Sequence, residues 1–126
     1  MSEIKEKTIL IVDDASENIA ILAELLSEHN IKVATNGKRA LEIINSGASL
    51  DLILLDVMMP EIDGFEVAQR VKSNPRSASI PIIFVTGKTD VQSFIRGFDL
   101  GAEEYIFKPF DSEAVLRIVN SKLYVE

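Results

Sequence analysis

Cysteine is absent from this chain of 126 residues, and histidine occurs once, at position 29. Without cysteine there is no disulfide framework, thiol nucleophile or thiolate metal site, and a single histidine excludes a multi-histidine metal site. Positive charge is also scarce, because 13 lysines and arginines stand against 20 aspartates and glutamates, for a net charge of −7. This balance argues against binding to a phosphate backbone, so we expect no nucleic-acid partner.

Long apolar runs are missing as well. No run approaches the roughly 20 apolar residues of a membrane span, and the polar opening Met1–Lys7 is unlike a secretory signal. We therefore expect a cytoplasmic protein with no membrane partner. Hydrophobic residues still make up 47% of the chain, which excludes disorder. Its length suits one domain with a real core, so residues 1–126 are interpreted as a single domain with a loose N-terminal extension over 1–7.

Apolar runs alternate along the chain with stretches whose apolar residues recur at helical spacing. The runs predict five strands, at Thr8–Val12, Ile31–Ala34, Leu52–Leu55, Ile80–Val85 and Tyr105–Phe107. The first, third and fourth are apolar throughout, as strands buried on both faces should be. Five strands alternating with five helices predict an α/β three-layer sandwich with a parallel sheet. The flavodoxin-like (βα)5 order 2-1-3-4-5 is the simplest for five such units.

Polar side chains follow four of these strands at their carboxyl ends. Asp13 and Asp14 follow the first strand, Asp56 the third, Thr86 the fourth and Lys108 the fifth. In a sheet of this order, ligands bind outside the carboxyl ends, near the switch point between strands 1 and 3, so these side chains should converge. Three carboxylates placed so closely repel one another, and a cation is the expected remedy. An all-oxygen set with room for water suits Mg²⁺.

Each of these residues alone has an ordinary structural interpretation. Asp13 or Asp14 could cap the first helix, Thr86 could cap the fourth, and Lys108 could be a solvated strand end. Capping does not, however, require five polar residues at the ends of four adjacent strands. A carboxylate can form an aspartyl phosphate, and phosphoryl transfer needs little beyond alignment, a divalent ion, a lysine and hydrogen-bond donors. Asp56 is the central candidate for attack, because strand 3 lies between the others.

The chain resembles the receiver domain of two-component response regulators over essentially its whole length. The matching segments are ILIVDD from Ile9, DVMMPEIDG from Asp56, PIIFVTG from Pro81 and GAEEYIFKPF from Gly101. The resemblance implies a phosphoacceptor switch that is not an enzyme, although it assists its own phosphotransfer and autodephosphorylation. Its phosphoryl group would come from a phosphohistidine on a histidine kinase or a histidine phosphotransfer protein.

Carried over by position, the resemblance makes Asp56 the phosphoacceptor. It implies that Asp14 and Asp56 bind Mg²⁺ directly, that Asp13 binds it mostly through water, and that Met58 contributes its backbone carbonyl. Met58 also stands two residues beyond the acceptor, on the path of the hydrolytic water, where its apolar side chain bears on the lifetime of the phosphoryl group.

The resemblance also implies which residues hold the phosphoryl oxygens and transmit the signal. Thr86 and Lys108 would hold these oxygens, beside the backbone amides of Met58 and Gly87. Tyr105 matches the switch aromatic of the family, which turns inward from a more exposed position when Thr86 moves toward the phosphate. The surface of helix 4, strand 5 and helix 5 would then change, and this surface could also form a homodimer.

Two positions beside the site carry further expectations. Gly87 stands where alanine is common in the family, which leaves more room above the site, and Lys88 flanks the path of the hydrolytic water two residues beyond Thr86. The Lys108–Pro109 bond is expected to be cis, because the turn must direct the lysine back over Asp56 and still start the last helix promptly.

Other interpretations of the same fold fit less well. A flavodoxin-type cofactor protein needs Ser, Thr and Gly amides after strand 1 to cradle a phosphate, whereas DDASEN presents two carboxylates. A phosphohydrolase of the haloacid dehalogenase type needs a second acid two residues after its nucleophile, where Met58 stands. The open alternative is a receiver-like interaction module that is not phosphorylated. The downstream effector, a domain or a separate protein, is left undefined by the sequence.

Overall fold

The computed structural model describes residues 7–87 and 91–124, in which strands and helices alternate strictly. The strands are β1 (Thr8–Val12), β2 (Asn30–Ala34), β3 (Leu52–Leu55), β4 (Ile82–Thr86) and β5 (Glu104–Phe107). The helices are α1 (Ser16–Leu25), α2 (Gly37–Asn45), α3 (Gly64–Ser73), α4 (Val91–Asp99) and α5 (Ser112–Leu123). None of the helices in these described ranges is long and apolar enough to cross a membrane.

The five strands form one parallel sheet in the order β2-β1-β3-β4-β5, which confirms the predicted topology. Val12 at the end of β1 pairs with Leu55 at the end of β3, and Leu55 pairs in turn with Phe84. The residues that follow Val12 and Leu55 therefore emerge at the same level of the sheet. At the neighbouring edge Thr86 pairs with Phe107, so β4 and β5 also end side by side.

The core consists of two apolar layers, one on each face of the sheet. Because side chains alternate along a strand, Leu10 and Val12 of β1 pack with residues of α2 and α3, whereas Ile9 and Ile11 pack with residues of α1 and α5. All four of these side chains are fully buried. Burial on both faces explains why β1, β3 and β4 are apolar throughout, and it leaves the strand ends as the natural place for polar groups.

The predicted bounds of the fourth strand were wrong. The prediction was Ile80–Val85, but β4 begins at Ile82 and ends at Thr86. The Ile80 N–H donates to the carbonyl of Ser77 at 3.0 Å and so belongs to the preceding turn. Pro81 has no N–H to donate to the ladder, although its carbonyl accepts from β3. Thr86 is therefore the last residue of the strand and does not follow it.

Lys7, the first described residue, is tied to the second strand. Of the predicted loose extension, residues 1–6 lie outside the described part, but both backbone polar groups of Lys7 are hydrogen-bonded. Its N–H donates to Nδ1 of His29 at 3.2 Å, and its carbonyl accepts from the N–H of Asn30 at 2.8 Å. Lys7 is therefore not loose, and β2 begins at Asn30, one residue earlier than predicted.

Candidate functional site

The carboxyl ends of β1 and β3 place two buried aspartates side by side. The Asp56 N–H donates to the carbonyl of Val12 at 2.9 Å, and the Asp13 N–H donates to Ala34 at 3.1 Å. These bonds extend the ladder by one residue, so the backbones of both aspartates are held by the sheet. Asp13 is 1% exposed and Asp56 is 4% exposed, whereas Asp14 is exposed. Carboxylate oxygens of all three lie within 4.8 Å of one another, as the sequence predicts.

Lys108 brings a positive charge to this acidic cluster. Its Nζ lies 2.8 Å from Oδ2 of Asp13 and 3.5 Å from Oδ1 of Asp56. The backbone is held close by, because the Lys108 N–H donates to the carbonyl of Thr86 at 3.2 Å. The Lys108–Pro109 bond is cis, as expected. The lysine therefore compensates part of the charge of the two buried carboxylates.

Backbone amides also donate to the two buried carboxylates. Oδ1 of Asp13 accepts from the N–H of Ala15 at 2.9 Å, and Oδ1 of Asp56 accepts a long bond of 3.4 Å from Met58. The N-cap residue of α1 is Ala15, and no side chain caps that helix. The interpretation of Asp13 as a helix cap is therefore wrong, because its side chain holds the β1–α1 turn and the lysine.

Burial and mutual repulsion make the Asp56 carboxylate harder to ionise. Burial, followed by the charge of Asp13, raises the pKa of Asp56 to about 6, against the opposing effects of Lys108 and the Met58 amide. Burial by itself would lower the pKa of the Lys108 ammonium. The hydrogen bond to Asp13 and the nearby carboxylates outweigh it, so this pKa is raised above its usual value. At neutral pH the site thus holds an ionised Asp56 beside a charged lysine.

The turn between β3 and α3 is built around a close backbone approach that the sequence analysis missed. Gly64 donates its N–H to the carbonyl of Val57 at 2.9 Å. A Cβ at Gly64 would overlap the carbonyl oxygen of Asp56 and lie 2.9 Å from Cα of Val57. Asp63 caps α3 by accepting from the N–H of Glu66 at 2.9 Å. Asp63 and Gly64 therefore start α3 and also fix the backbone of Asp56.

The side chains around the opening of the site differ in exposure. Met58 is 63% exposed, while Met59 beside it is buried and packs in the core. Thr86, at the end of β4, is 1% exposed. A Cβ at Gly87 would meet no atom within 4 Å, which agrees with the expectation of open space above the site. Lys88, expected on the path of the hydrolytic water, lies outside the described residues.

Tyr105 lies in the inward position. It is 6% exposed, and its Oη donates to the carbonyl of Ser93 in α4 at 2.9 Å. Its ring centroid lies 4.8 Å from that of Phe94, 5.3 Å from Phe98 and 5.5 Å from Phe84. The residue identified as the switch aromatic is thus enclosed between β4 and α4. Neither Ser93 nor the aromatic cage was singled out from the sequence.

The fold and the site together define a class of protein, a receiver-type signalling domain. A doubly wound parallel sheet carries the buried Asp56 at its switch point, with the acid pair Asp13 and Asp14 and a lysine beside it. The family model of the response regulator receiver domain matches residues 9–120. The chain belongs to this family.

Relatives and solved structures agree with this assignment. A probable cyclic di-GMP phosphodiesterase of Vibrio cholerae is 46% identical over 110 residues, covering 86% of this chain and 25% of its own length. The response regulator ArlR of Staphylococcus saprophyticus is 40% identical over 118 residues, covering 91% and 51%. The crystal structure of the chemotaxis protein CheY4 of Vibrio cholerae superposes with a TM-score of 0.88 at 27% identity, covering 94% of this chain and all of that one. The chain thus spans between a quarter and half of the length of these curated relatives.

Proposed function

We propose that this domain is a phosphoacceptor switch in which Asp56 takes a phosphoryl group from a histidine kinase or a histidine phosphotransfer protein. One observation carries the proposal: Asp56 is a buried carboxylate at the end of β3, with the carboxylate of Asp13 and the Lys108 ammonium beside it. A structural aspartate would gain nothing from burial beside a second carboxylate. A nucleophile that must be aligned, and whose product gains negative charge, requires this arrangement.

The transfer step uses groups that lie at the site. An oxygen of the ionised Asp56 attacks phosphorus, a P–O bond forms, and the P–N bond to the partner's imidazole breaks, with the electron pair leaving on the imidazole nitrogen. Lys108 is already within 3.5 Å of the acceptor and follows the charge onto the phosphoryl oxygens. The hydroxyl of Thr86 and the amides of Met58 and Gly87 supply the remaining hydrogen bonds. In the metal-free site the pKa of Asp56 is about 6, so at neutral pH its carboxylate is largely ionised and able to attack.

The donor set at the site fits Mg²⁺. Three carboxylates within 4.8 Å of one another, with neither sulfur nor imidazole among them, are the ligands that a hard cation prefers. Asp14 and Asp56 would bind it directly, Asp13 through water, and Met58 through its backbone carbonyl. When bound, the ion neutralises charge on the transferring phosphoryl group and aligns it with Asp56. Asp14 is the exposed member of the set, so it is the ligand that an incoming ion meets first.

The output is assigned to the face formed by α4, β5 and α5. Four large apolar side chains are exposed on α4 and β5: Val91, Ile95, Phe98 and Phe107. The ring centroids of Phe98 and Phe107 lie 5.3 Å and 6.2 Å from that of Tyr105, and β5 pairs with β4 as far as Thr86, so this face is connected to the site. Phosphorylation shifts the population of Tyr105 positions, and this face passes the change to an effector domain, an effector protein or a second copy of the chain.

Labelling with a small phosphodonor tests the acceptor. With Mg²⁺ and acetyl phosphate, the intact mass should rise by one phosphoryl group, and Asp56→Asn should abolish the increase because an amide is not a nucleophile here. Asp99→Asn, an exposed aspartate at the end of α4, is the matched control and should be labelled normally. Undiminished labelling of Asp56→Asn would overturn the assignment.

Chemical shifts test the output face separately. Beryllofluoride mimics the phosphoryl group, and amide shifts with and without it should change in α4, β5 and α5 as well as at the site. Changes confined to the ends of β1, β3 and β4 would show a domain that accepts phosphate and does not signal through this face.

A further inference from the structure

Gly97 is a glycine inside a short helix, α4, where another residue would be expected. It is the seventh residue of the nine-residue α4, and its φ lies outside the left-handed region that favours glycine. Glycine inside a helix is less favourable than alanine by about 1 kcal/mol, so an interior glycine calls for a reason in packing. Backbone conformation does not supply that reason here, but the lack of space beside the Gly97 Cα does.

The space beside the Gly97 Cα is filled by the switch tyrosine. A Cβ at this position would overlap Oη of Tyr105 and would lie 2.9 Å from its Cζ and 3.0 Å from Cε2 of Phe84. The first two atoms belong to the rigid end of a ring held on all sides, so they cannot move aside without moving the whole side chain. Gly97 is itself buried, which means that the contact is part of the packed interior.

The hydrogen bond of Tyr105 requires this close approach. Its Oη reaches the carbonyl of Ser93, one turn before Gly97 on the same helix, at 2.9 Å. To do so the hydroxyl must lie against the helix backbone, where a side chain would normally project. The rings of Phe94 and Phe98 flank the tyrosine, with centroids 4.8 Å and 5.3 Å from its own, and prevent a sideways displacement.

We propose that Gly97 is a positioning residue that sets the equilibrium between the inward and the exposed position of Tyr105, because only a residue without a side chain leaves room for the inward position. Any side chain at position 97 shifts Tyr105 to the exposed position, whatever the state of the acceptor. The inference deepens the proposed function, since it assigns to α4 the residue that decides how readily the inward state forms. By linkage, a change that disfavours the inward state also disfavours phosphorylation, if the two are coupled.

The composition of the chain allows a direct measurement. The protein has no tryptophan and two tyrosines, so Tyr124→Phe leaves Tyr105 as the only tyrosine emitter. In that background Tyr105 should be poorly quenched by acrylamide. Gly97→Ala should raise its quenching constant severalfold, toward that of a free tyrosine amide. Gln92→Ala is the control, because it also introduces an alanine into α4 and raises the helix propensity. Its position in the first turn is exposed, so it should leave the quenching unchanged.

A rescue experiment separates positioning from general damage. Tyr105→Leu removes the ring that a methyl group at position 97 would strike. Gly97→Ala should therefore lower the melting temperature in the Tyr105 protein, and should leave it unchanged or raise it in the Tyr105→Leu protein. If Gly97→Ala alone does not fold, the double variant must fold. A double variant as damaged as Gly97→Ala alone would overturn the inference, as would an alanine variant in which Tyr105 stays shielded.

The outcome can be distinguished from failure of the proposed function. Quenching is measured without any phosphodonor, so it reports how well Tyr105 is shielded, independently of the labelling of Asp56. Exposure of Tyr105 in Gly97→Ala, together with weaker labelling of Asp56, supports both proposals. The same exposure with unchanged labelling and an unchanged beryllofluoride response supports the role of Gly97 and contradicts the coupling of Tyr105 to the acceptor.

Discussion

The ammonium of Lys108 lies closer to Asp13 than to Asp56, at 2.8 Å and 3.5 Å. The lysine therefore acts as a resident cation between the two buried carboxylates. A divalent ion attracted by the same oxygens must compete with this ammonium for Asp13. The phosphoryl group, in turn, must draw the ammonium toward Asp56.

Replacing this lysine should strengthen metal binding and weaken phosphoryl transfer. Without the ammonium, Lys108→Met presents uncompensated carboxylates, and the affinity for Mg²⁺ should rise by about tenfold, which corresponds to about 1.4 kcal/mol. Calorimetric titration with Mg²⁺ measures the change. Lys32→Met, which removes an exposed lysine from β2, is the control and should bind the ion like the unaltered protein. An unchanged or weaker affinity in Lys108→Met would show that the lysine does not compete.

Magnesium should stabilise the folded domain through the acidic cluster. Binding to the folded state alone raises the free energy of unfolding by about 1.4 kcal/mol at roughly ten times the dissociation constant, so the melting temperature should rise with millimolar Mg²⁺. Asp14→Ala should abolish most of this increase. Without metal, the same substitution relieves repulsion and should raise the melting temperature. A melting temperature that ignores Mg²⁺ in the unaltered protein would contradict the metal site.

Asp56 should make the metal-free protein less stable as the pH rises. Its pKa is 3.8 in an ordinary environment and about 6 in the fold, so between these values the folded state binds more protons than the unfolded state. Stability is therefore lost from about pH 4 to pH 6, by at most about 3 kcal/mol at 1.36 kcal/mol per pKa unit. Asp56→Asn should raise the free energy of unfolding at pH 8 and leave it nearly unchanged at pH 4.

Urea titrations in the presence of a chelator, at several pH values, measure this difference. Asp99→Asn removes an exposed carboxylate and leaves Asp56 in place, so its stability should follow that of the unaltered protein at every pH. If Asp56→Asn raised the free energy of unfolding equally at pH 4 and pH 8, removal of the buried charge would not be the cause of the increase.

Gly64 should tolerate no side chain, because its Cα lies against the acceptor backbone. Gly64→Ala forces the β3–α3 turn away from the Asp56 carbonyl and should lower the free energy of unfolding by about 1–3 kcal/mol, as overpacking generally does. It should also slow labelling of Asp56. Gly87→Ala is the matched comparison, since its methyl group enters open space and should leave stability nearly unchanged. Equal stability of the two variants in a chemical denaturation series would refute the close approach.

The strand pattern and the types of residue at strand ends could be predicted from the sequence. Continuous apolar runs interrupted by helical repeats leave few topologies for a parallel sheet, and the order β2-β1-β3-β4-β5 follows from connection rules that depend on chain direction and handedness. Because parallel strands end at one edge, Asp13, Asp56 and Lys108 had to meet there. Their convergence therefore follows from the order and direction of the strands, which the pattern of apolar residues predicts well.

The start of β4 was predicted less well, for a local reason that the pattern does not contain. Ile80 is as apolar as the residues of the strand, and only its hydrogen bond to Ser77 assigns it to the turn. Apolar character marks burial, and the half-buried Ile80 fits that pattern in a turn as well as the strand residues do in the sheet.

The close approaches and the charge balance of the site were decided by tertiary structure alone. That Gly64 lies against the carbonyl of Asp56, and Gly97 against the hydroxyl of Tyr105, depends on how α3 and α4 pack on the sheet to within a few tenths of an ångström. That Lys108 favours Asp13, and that the pKa of Asp56 rises to about 6, depends on burial and on distances between side chains far apart in the chain. Steric contact and electrostatic interaction vary steeply with distance, so residue types and spacing can bring these groups to one edge of the sheet, and only the packed structure sets how they interact.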